Sequence, residues 1–420
     1  MKKVLIVSYF SKPSNFVGAE RVQGWLNYLP ENNIYPILIT RFWKENQKDI
    51  SLSEGLVNDT VEEKKNYEIH RVTRKKQLRD YLIEQNKWIL IRKILSLKQL
   101  ILNNIWFKKS EYYHFFVYID ELIRKEKNLD TLIVSGTPFH SFIIGYNIKK
   151  KWPKLKWYPD YRDHWNTHPF KSKSGIINGL LFQLERRNEK KWTSNAKAFI
   201  TVSENWRDRI FEFIKKPGYV VKNGYDLDIL AIQEQTVPRN KNKLVISYIG
   251  TIYPYQNYKL FLEVIGELIL ENSFNIELNF IGIDSFYKIS PDIKKRTMKF
   301  SKCVNIIERI PKNELKAIYK KSDLLWLTSF GKMKGWYPVK LFEYASQGIP
   351  ILLYPTDNDD MEEFIKTTSS GFVFIEKEEL KKWLVSIFNS ESSIKINLNK
   401  GNLAKYSRRF QTSELAKIIK

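Results

Sequence analysis

Apolar residues gather along the chain in short continuous runs separated by stretches of helical periodicity. In the first half the runs are VLIVSYF (4–10), PILIT (36–40), TLIVSG (131–136), AFITVS (198–203) and VVKNG (220–224). The second half holds LVISYIG (244–250), IELNFIG (276–282), VNIIERI (304–310), LLWLTS (324–329), IPILLY (349–354) and GFVFIE (371–376). Runs that are apolar throughout, rather than alternating, describe strands covered on both faces, hence parallel sheets in an α/β protein. Helical patterns fall between most of them, as at 19–29, 139–151, 176–194, 257–271 and 312–321. The first run, behind two lysines, imitates a signal peptide. It is too short and no small-residue cleavage site follows, so it reads as a buried first strand. No apolar run approaches the roughly 18 residues of a membrane-spanning helix.

The series breaks at 231–243, AIQEQTVPRNKNK, which is polar, contains Pro238 and lacks apolar periodicity. The pattern predicts two doubly wound α/β domains of similar size facing a cleft, where ligands bind at the carboxyl ends of strands. The length of 420 residues fits that division. A single cysteine, Cys303, excludes a disulfide framework, a Cys-based zinc site and an iron–sulfur cluster, and fits a reducing cytosol.

Charge adds a partner class. Lys plus Arg total 70 against 46 Asp plus Glu, a formal net charge of +24. Such a charge attracts nucleic acid, anionic lipid or phosphorylated substrates without choosing among them. The chain is also rich in Lys, Asn and Ile, so codon bias contributes to the excess. The charge is uneven: residues 64–128 hold 16 Lys/Arg and 7 Asp/Glu, and 16 − 7 gives +9. An even spread would place about 4 there. Aromatic residues interleave (Tyr81, Trp88, Trp106, Phe107, Tyr112, Tyr113, Phe115, Phe116), and the central KWILIRKILSLKQLILNNIWFKK (87–109) is helix-prone, basic and apolar on more than one face. That composition suits a helix lying in a membrane interface, and equally an ordinary helical insertion packed on the first domain.

Residues 331–350, GKMKGWYPVKLFEYASQGIP, lie between two strand-like runs. Pro338 suits the first turn of a helix. The amides at that helix start form an anion site, and Lys340 adds a cation in the same turn. Glu343, three residues on, occupies the neighbouring surface, where a carboxylate can accept two hydroxyl hydrogen bonds, as from a ribose. Taken alone, these residues describe a plain surface helix at least as well.

The segment PVKLFEYASQGIPIL (338–352) resembles the donor-nucleotide motif of family 4 glycosyltransferases of the GT-B fold, P-x-K-x-FEY-x-x-x-G-x-P. Other segments resemble that family in order and spacing: GAERVQGWLNYLPENNIYPILIT (18–40), VSGTPFHSFIIG (134–145), DYRDHW (160–165), VKNGYD (221–226), YIGTIYP (248–254) and YSRRFQTSELAKII (406–419). The resemblance touches nearly the whole chain except 41–128 and 385–400. It implies two Rossmann-like doubly wound domains. Residues 1–230 would bind the acceptor and carry the basic aromatic insertion at about 64–128. Residues 244–400 would bind the nucleotide sugar, and 401–420 would return as a helix to the first domain. The implied reaction is transfer of a sugar from a nucleotide-sugar co-substrate to a glycan or polyprenyl-diphosphate-linked acceptor. It would be retaining, metal-independent and devoted to bacterial cell-surface polysaccharide. With the basic insertion, the expected location is cytoplasmic, peripheral on the inner face of the plasma membrane.

By the same resemblance, donor contacts fall to Glu343, Lys340, the backbone of Gly335, Trp336 and Tyr337, and to Gly250 and Thr251, with Lys222 and Arg207 as further candidates for the diphosphate where the usual family ligands are missing. Acceptor contacts fall to Gly18, Arg21 and Arg162. The sequence departs from the family at two places. The first of two glutamates usually spaced seven residues apart would stand at Gly335, which leaves the donor sugar open. The usual Arg and Lys phosphate ligands would stand at Thr251 and Gln256.

Candidate reacting groups are Asp163, Asp160 and His140. Asp160, Arg162 and Asp163 cluster at the end of the predicted strand KWYPDY (156–161). An aspartate there can accept a proton from an acceptor hydroxyl or brace the donor sugar, and Arg162 can orient it or meet a phosphate. A structural ion pair with a helix cap is the alternative. His140 follows Pro138 in a loop after a strand and either meets sugar or begins a helix without chemistry. His164 and His168 lack metal-ligand spacing, and no metal site is assigned. DNDD (357–360) opens a helix and reads as its cap rather than as a metal-holding Asp-x-Asp. Gly18, Gly250 and Gly282 do not form the G-x-G-x-x-G of a nicotinamide or flavin site, so no cofactor is expected. Rival readings are a GT-B nucleotide-sugar epimerase or hydrolase, a catalytically inert scaffold, and a nucleic-acid-binding protein. No nucleic-acid module is present to support the last. Oligomeric state is not legible.

Overall fold

The computed structural model describes residues 1–14, 17–43, 58–74, 76–126, 128–169, 171, 175–226, 243–285, 287–311, 314–331, 333–389 and 394–420. The polar break at 231–243 lies outside the described residues except for Lys243. The chain divides into two compact units, Met1–Lys222 with Arg408–Lys420, and Asn223–Ser407.

The first unit contains strands β1 (Lys2–Ser8), β2 (Ile34–Thr40), β3 (Thr60–Glu63), β4 (Glu68–Arg71), β5 (Leu129–Gly136), β6 (Lys156–Tyr161), β7 (Phe199–Thr201) and β8 (Gly218–Val220). Its sheet has the order β3-β4-β2-β1-β5-β6-β7-β8. All neighbours are parallel except β3 and β4. Val4 to Val7 and Ile37 to Ile39 are buried, as continuous apolar runs require of strands covered on both faces. β3, sequence TVEE, is a largely exposed edge strand with no such signal. The helices are α1 (Val17–Tyr28), α2 (Leu78–Glu84), α3 (Ile89–Ile105), α4 (Tyr113–Lys125), α5 (Phe142–Lys151), α6 (Ile176–Thr193) and α7 (Glu204–Ile214). The basic aromatic insertion is thus mostly helical after β4. Within it α4 packs in the ordinary way, burying Phe115, Ile119 and Ile123.

The second unit contains β9 (Leu244–Ile249), β10 (Ile276–Ile281), β11 (Val304–Ile307), β12 (Leu324–Leu327), β13 (Ile351–Leu353) and β14 (Gly371–Val373). They form one wholly parallel sheet in the order β11-β10-β9-β12-β13-β14. The helices are α8 (Tyr258–Asn272), α9 (Ser290–Arg296), α10 (Leu315–Lys321), α11 (Val339–Ser346), α12 (Asp360–Thr368), α13 (Lys377–Asn389) and α14 (Lys400–Ala404). Trp326 anchors the core, its ring stacked on Phe261 at 4.1 Å.

The last helix, α15 (Arg408–Ile419), belongs to the first unit. Leu415, Ala416 and Ile419 join Val22, Trp25 and Leu26 of α1 in one core. Lys2 Nζ donates to the Ile419 carbonyl at 2.7 Å, and the backbone N–H of Lys222 donates to Gln411 Oε1 at 2.6 Å. Residues 401–407 remain with the second unit, where Tyr225 donates to the Leu403 carbonyl at 3.0 Å.

Each sheet has a point where strand order reverses, between β1 and β5 in the first and between β9 and β12 in the second. Loops leaving the carboxyl ends of such strands diverge, and that is where α/β folds build sites. No helix among the described residues is long and apolar enough to cross a membrane.

Candidate functional site

In the second unit the residues expected to meet the donor gather at the β9–β12 switch. The segment after β12 runs to Pro338, which has φ −67° and ψ 138° and precedes α11 as its cap. The proline therefore stands one residue before the helical turn in which the sequence places it. Lys340, in the first turn, crosses to the loop after β9. Its Nζ donates to Tyr248 Oη at 2.6 Å and to the Thr251 carbonyl at 3.2 Å, 4.0 Å above the Tyr248 ring centroid. Gly250 has φ +103°, a left-handed conformation that selects glycine, and a Cβ there would only come into ordinary contact with Lys340 Nζ, at 3.4 Å.

Burial lowers the Lys340 pKa to about 7, with Glu343 opposing the shift. A lysine so placed takes on full charge when an anion arrives to share its enclosure. Glu343, half-buried, is held on α11, and its carbonyl accepts from Ser346 Oγ at 2.7 Å. Trp336 packs on Phe330 at 4.5 Å and Tyr337 stacks on Phe342 at 5.8 Å. These side chains turn into the unit, and the Gly335 N–H donates to Asp359 Oδ2. Gln256, at the position of a usual family cation, instead braces its loop by accepting from the Tyr253 N–H at 2.8 Å. Sequence reasoning missed Tyr248 and Asp359. A tyrosine inside an apolar run and an aspartate in a helix-opening turn carry no motif.

In DNDD the capping atoms belong to Asp357, which accepts from Met361 N at 2.9 Å and Glu362 N at 3.1 Å. Asp359, at the cap position itself, makes no side-chain cap bond.

In the first unit the ends of β5 and β6 bring together Ser135, Gly136, Asp160, Arg162 and Asp163. Asp160 is fully buried. Its two oxygens accept from Arg21 Nη2 at 2.9 Å and Nε at 3.3 Å, and from Ser135 Oγ at 2.8 Å. Arg21 also donates to the Val221 carbonyl at 2.8 Å. Arg21 and Asp160 thus form a buried ion pair, so a structural role accounts for both side chains, with Arg21 rather than Arg162 as the partner of Asp160. Arg162 donates to the carbonyls of Gly136 at 2.6 Å and Thr137 at 3.0 Å. Asp163 differs from Asp160: its carboxyl makes no hydrogen bond or ion pair among the described residues. Burial raises its pKa, with the Arg162 guanidinium opposing.

Gly18 sits under Arg162, where a Cβ would fall 1.0 Å from Nη1. The missing side chain lets the guanidinium lie on α1. Gly18→Ala is expected to lower the melting temperature in the wild type and far less beside Arg162→Ala. The coupling should be about 1–3 kcal/mol in a thermal double-mutant cycle. Additive effects would show that the arginine is not displaced.

His140 lies in the turn before α5, between Trp165 and Trp192 at 5.7 and 6.2 Å. Its Nε2 accepts from Asn104 Nδ2 at 3.0 Å and lies 3.7 Å from Glu185 Oε1. Burial lowers its pKa against the pull of Glu185, so the neutral ring is favoured. Lys222 pairs with Glu204 at 3.2 Å, and Arg207 with Asp208 at 2.8 Å. His164 lies against Trp206 at 4.2 Å and bonds Thr167 at 2.8 Å. Among the described residues no three His, Cys, Asp or Glu side chains converge as metal ligands would.

Two doubly wound α/β units, with Lys340 at the switch point of the second, make up the fold. Residues 231–402 match the family model described as glycosyl transferases group 1. Solved structures agree over the full chain. Sucrose-phosphate synthase from Thermosynechococcus elongatus aligns with a TM-score of 0.66 at 11% identity, covering 100% of this chain and 98% of that one. WaaG, a glycosyltransferase involved in lipopolysaccharide biosynthesis, gives 0.55 at 11% identity, covering 99% of each chain. The Anabaena protein HepE, in complex with UDP and glucose, gives 0.56 at 11% identity, covering 100% and 99%. No curated protein sequence matches significantly. The segment 231–402 is thus similar to group 1 glycosyl transferases, and the whole chain shares the fold of these solved structures.

Proposed function

We propose that the protein moves a sugar from a nucleotide-sugar donor to a glycan or lipid-linked acceptor in cell-surface polysaccharide synthesis. In this reading transfer is retaining and metal-independent, and the enzyme works as a peripheral protein on the inner face of an anionic plasma membrane. The observation that carries the donor half is Lys340, enclosed between Tyr248 and Thr251 with a pKa near 7. Breaking the glycosidic bond leaves growing negative charge on the departing diphosphate. Lys340 and the amides at the start of α11 meet that charge. Glu343 accepts the ribose hydroxyls. On the acceptor side Asp163 is the carboxyl with open oxygens, placed to take the hydroxyl proton, while Asp160 holds Arg21 in place. His140, favoured neutral, offers a hydrogen-bond contact to sugar. Kinship in fold with a lipopolysaccharide enzyme and with a protein solved with UDP and glucose supports the substrate class.

The test is a thermal-shift and calorimetry panel of UDP, GDP and other nucleoside diphosphates. One diphosphate is expected to bind the wild type and to lose about 10²-fold in affinity with Glu343→Ala. Two hydrogen bonds to a charged acceptor are worth that much. No binding by any nucleotide, or equal binding by the variant, would count against the site. Full turnover of the donor without acceptor would favour an epimerase.

A further inference from the structure

α3 is built inside out. Its buried side chains are Gln99, Asn103 and Asn104, whereas Leu90, Ile94, Leu97, Ile101 and Ile105 are 37–75% exposed. The exposed five are spaced by 4, 3, 4 and 4 residues, so they form one stripe along the helix. The amides are satisfied inward. Gln99 Nε2 donates to Asn103 Oδ1 at 2.9 Å, and Asn103 Nδ2 donates to Glu111 Oε1 at 2.8 Å. Asn104 bonds His140 at 3.0 Å and accepts from Asn188 Nδ2 of α6 at 2.9 Å. A water-facing helix places its residues the other way round. Here the polar face is held by specific partners, and the apolar stripe is what the protein presents outward.

We infer that the outer face of α3 docks the protein on an anionic lipid bilayer. Exposed tryptophans flank the stripe at both ends, Trp88 and Trp106. Residues 85–110 contain Lys87, Arg92, Lys93, Lys98, Lys108 and Lys109 and no acidic residue. On the helix, Lys93 and Lys98 fall on opposite flanks of the stripe. Aliphatic stripe, lysine flanks and terminal tryptophans match the acyl, phosphate and headgroup depths of a membrane surface. A second copy facing the stripe would bring two sets of cations together with no carboxylate between them, which disfavours self-pairing. α6, joined to α3 through Asn188, exposes a further apolar group at its start, Ile176, Ile177 and Leu180. The docked helix is one hydrogen bond from His140, so the bilayer side of the unit is also its acceptor side.

This inference deepens the membrane part of the proposed function and rests on it. Its test needs neither donor nor acceptor. The full chain is sedimented with phosphatidylcholine vesicles and with vesicles also containing phosphatidylglycerol. Binding is expected to be at least about tenfold stronger to the anionic vesicles. The double variant Ile94→Glu/Ile101→Glu should lose about tenfold or more at an unchanged melting temperature. Leu270→Glu, exposed on the second unit, should bind as wild type. Lys93→Ala/Lys98→Ala should erase the preference for anionic lipid. Absent wild-type binding, or binding unchanged by the double variant, overturns the inference. So does a wild-type dimer that the double variant turns monomeric. Nucleoside diphosphate binding, measured without vesicles, reports separately on the donor site.

Discussion

Lys340→Met is expected to weaken nucleoside diphosphate binding by about 10²–10³-fold, comparable to removing a preorganised donor aimed at developing charge. In the wild type the same interaction should depend on pH. The free lysine has a pKa of about 7, and a diphosphate binds its ammonium form. Above pH 7 the empty site is neutral and must take up a proton on binding. Affinity should then fall about tenfold per pH unit until the pKa of the liganded lysine is reached. Calorimetry at pH 8 in buffers of different ionisation enthalpy should count about one proton taken up, and none with Lys340→Met. Stability without ligand moves the opposite way. Between about pH 7 and the ordinary lysine value the unfolded chain holds a proton that the folded chain does not, so stability rises with pH across that window. A wild-type affinity that is flat from pH 7 to 9 would dismiss the protonation argument.

Asp160→Ala is expected to cost roughly 3–5 kcal/mol, because it strands the buried Arg21 guanidinium without its carboxylate. In a unit of this size the melting temperature should fall on the order of ten degrees. Replacing both partners, as in Arg21→Met with Asp160→Ala, should recover a large part of that loss. Asp163→Ala, three residues away, should leave stability nearly unchanged while removing transfer. The contrast separates the two aspartates by role. A small stability change in Asp160→Ala would contradict the buried pair, and stable but fully active Asp163→Ala would remove it from the chemistry.

The parallel strands were legible because burial on both faces makes them apolar without interruption, as in Val4 to Val7. β3 was not, since an exposed edge strand reading TVEE lacks that pattern. The segment 338–352 was legible as a motif, but Lys340's partner was not: Tyr248 lies 92 residues upstream in an apolar run. DYRD offers two aspartates of equal appearance. Only the fold brings Arg21 and Ser135 to the first and leaves the second open. The sequence left α3 between a membrane-interface helix and an ordinary packed insertion, because it reads as apolar on more than one face. Which face turns inward depends on Glu111, His140 and Asn188, the partners of Asn103 and Asn104, which lie on other elements.

The lodging of α15 on α1 bears on how the chain is made. Asn223–Ser407 is one uninterrupted stretch, whereas the other unit is assembled from two stretches with the whole of that segment between them. On the ribosome the uninterrupted unit can finish as soon as its own residues emerge. The N-terminal sheet, although translated first, must wait with the α1 side of its core uncovered until Arg408–Ile419 is synthesised. At about 5–20 residues per second that delay lasts on the order of tens of seconds. It exposes Val22, Trp25 and Leu26 to premature association, and it makes this the stage of biosynthesis at which a chaperone has most to shield.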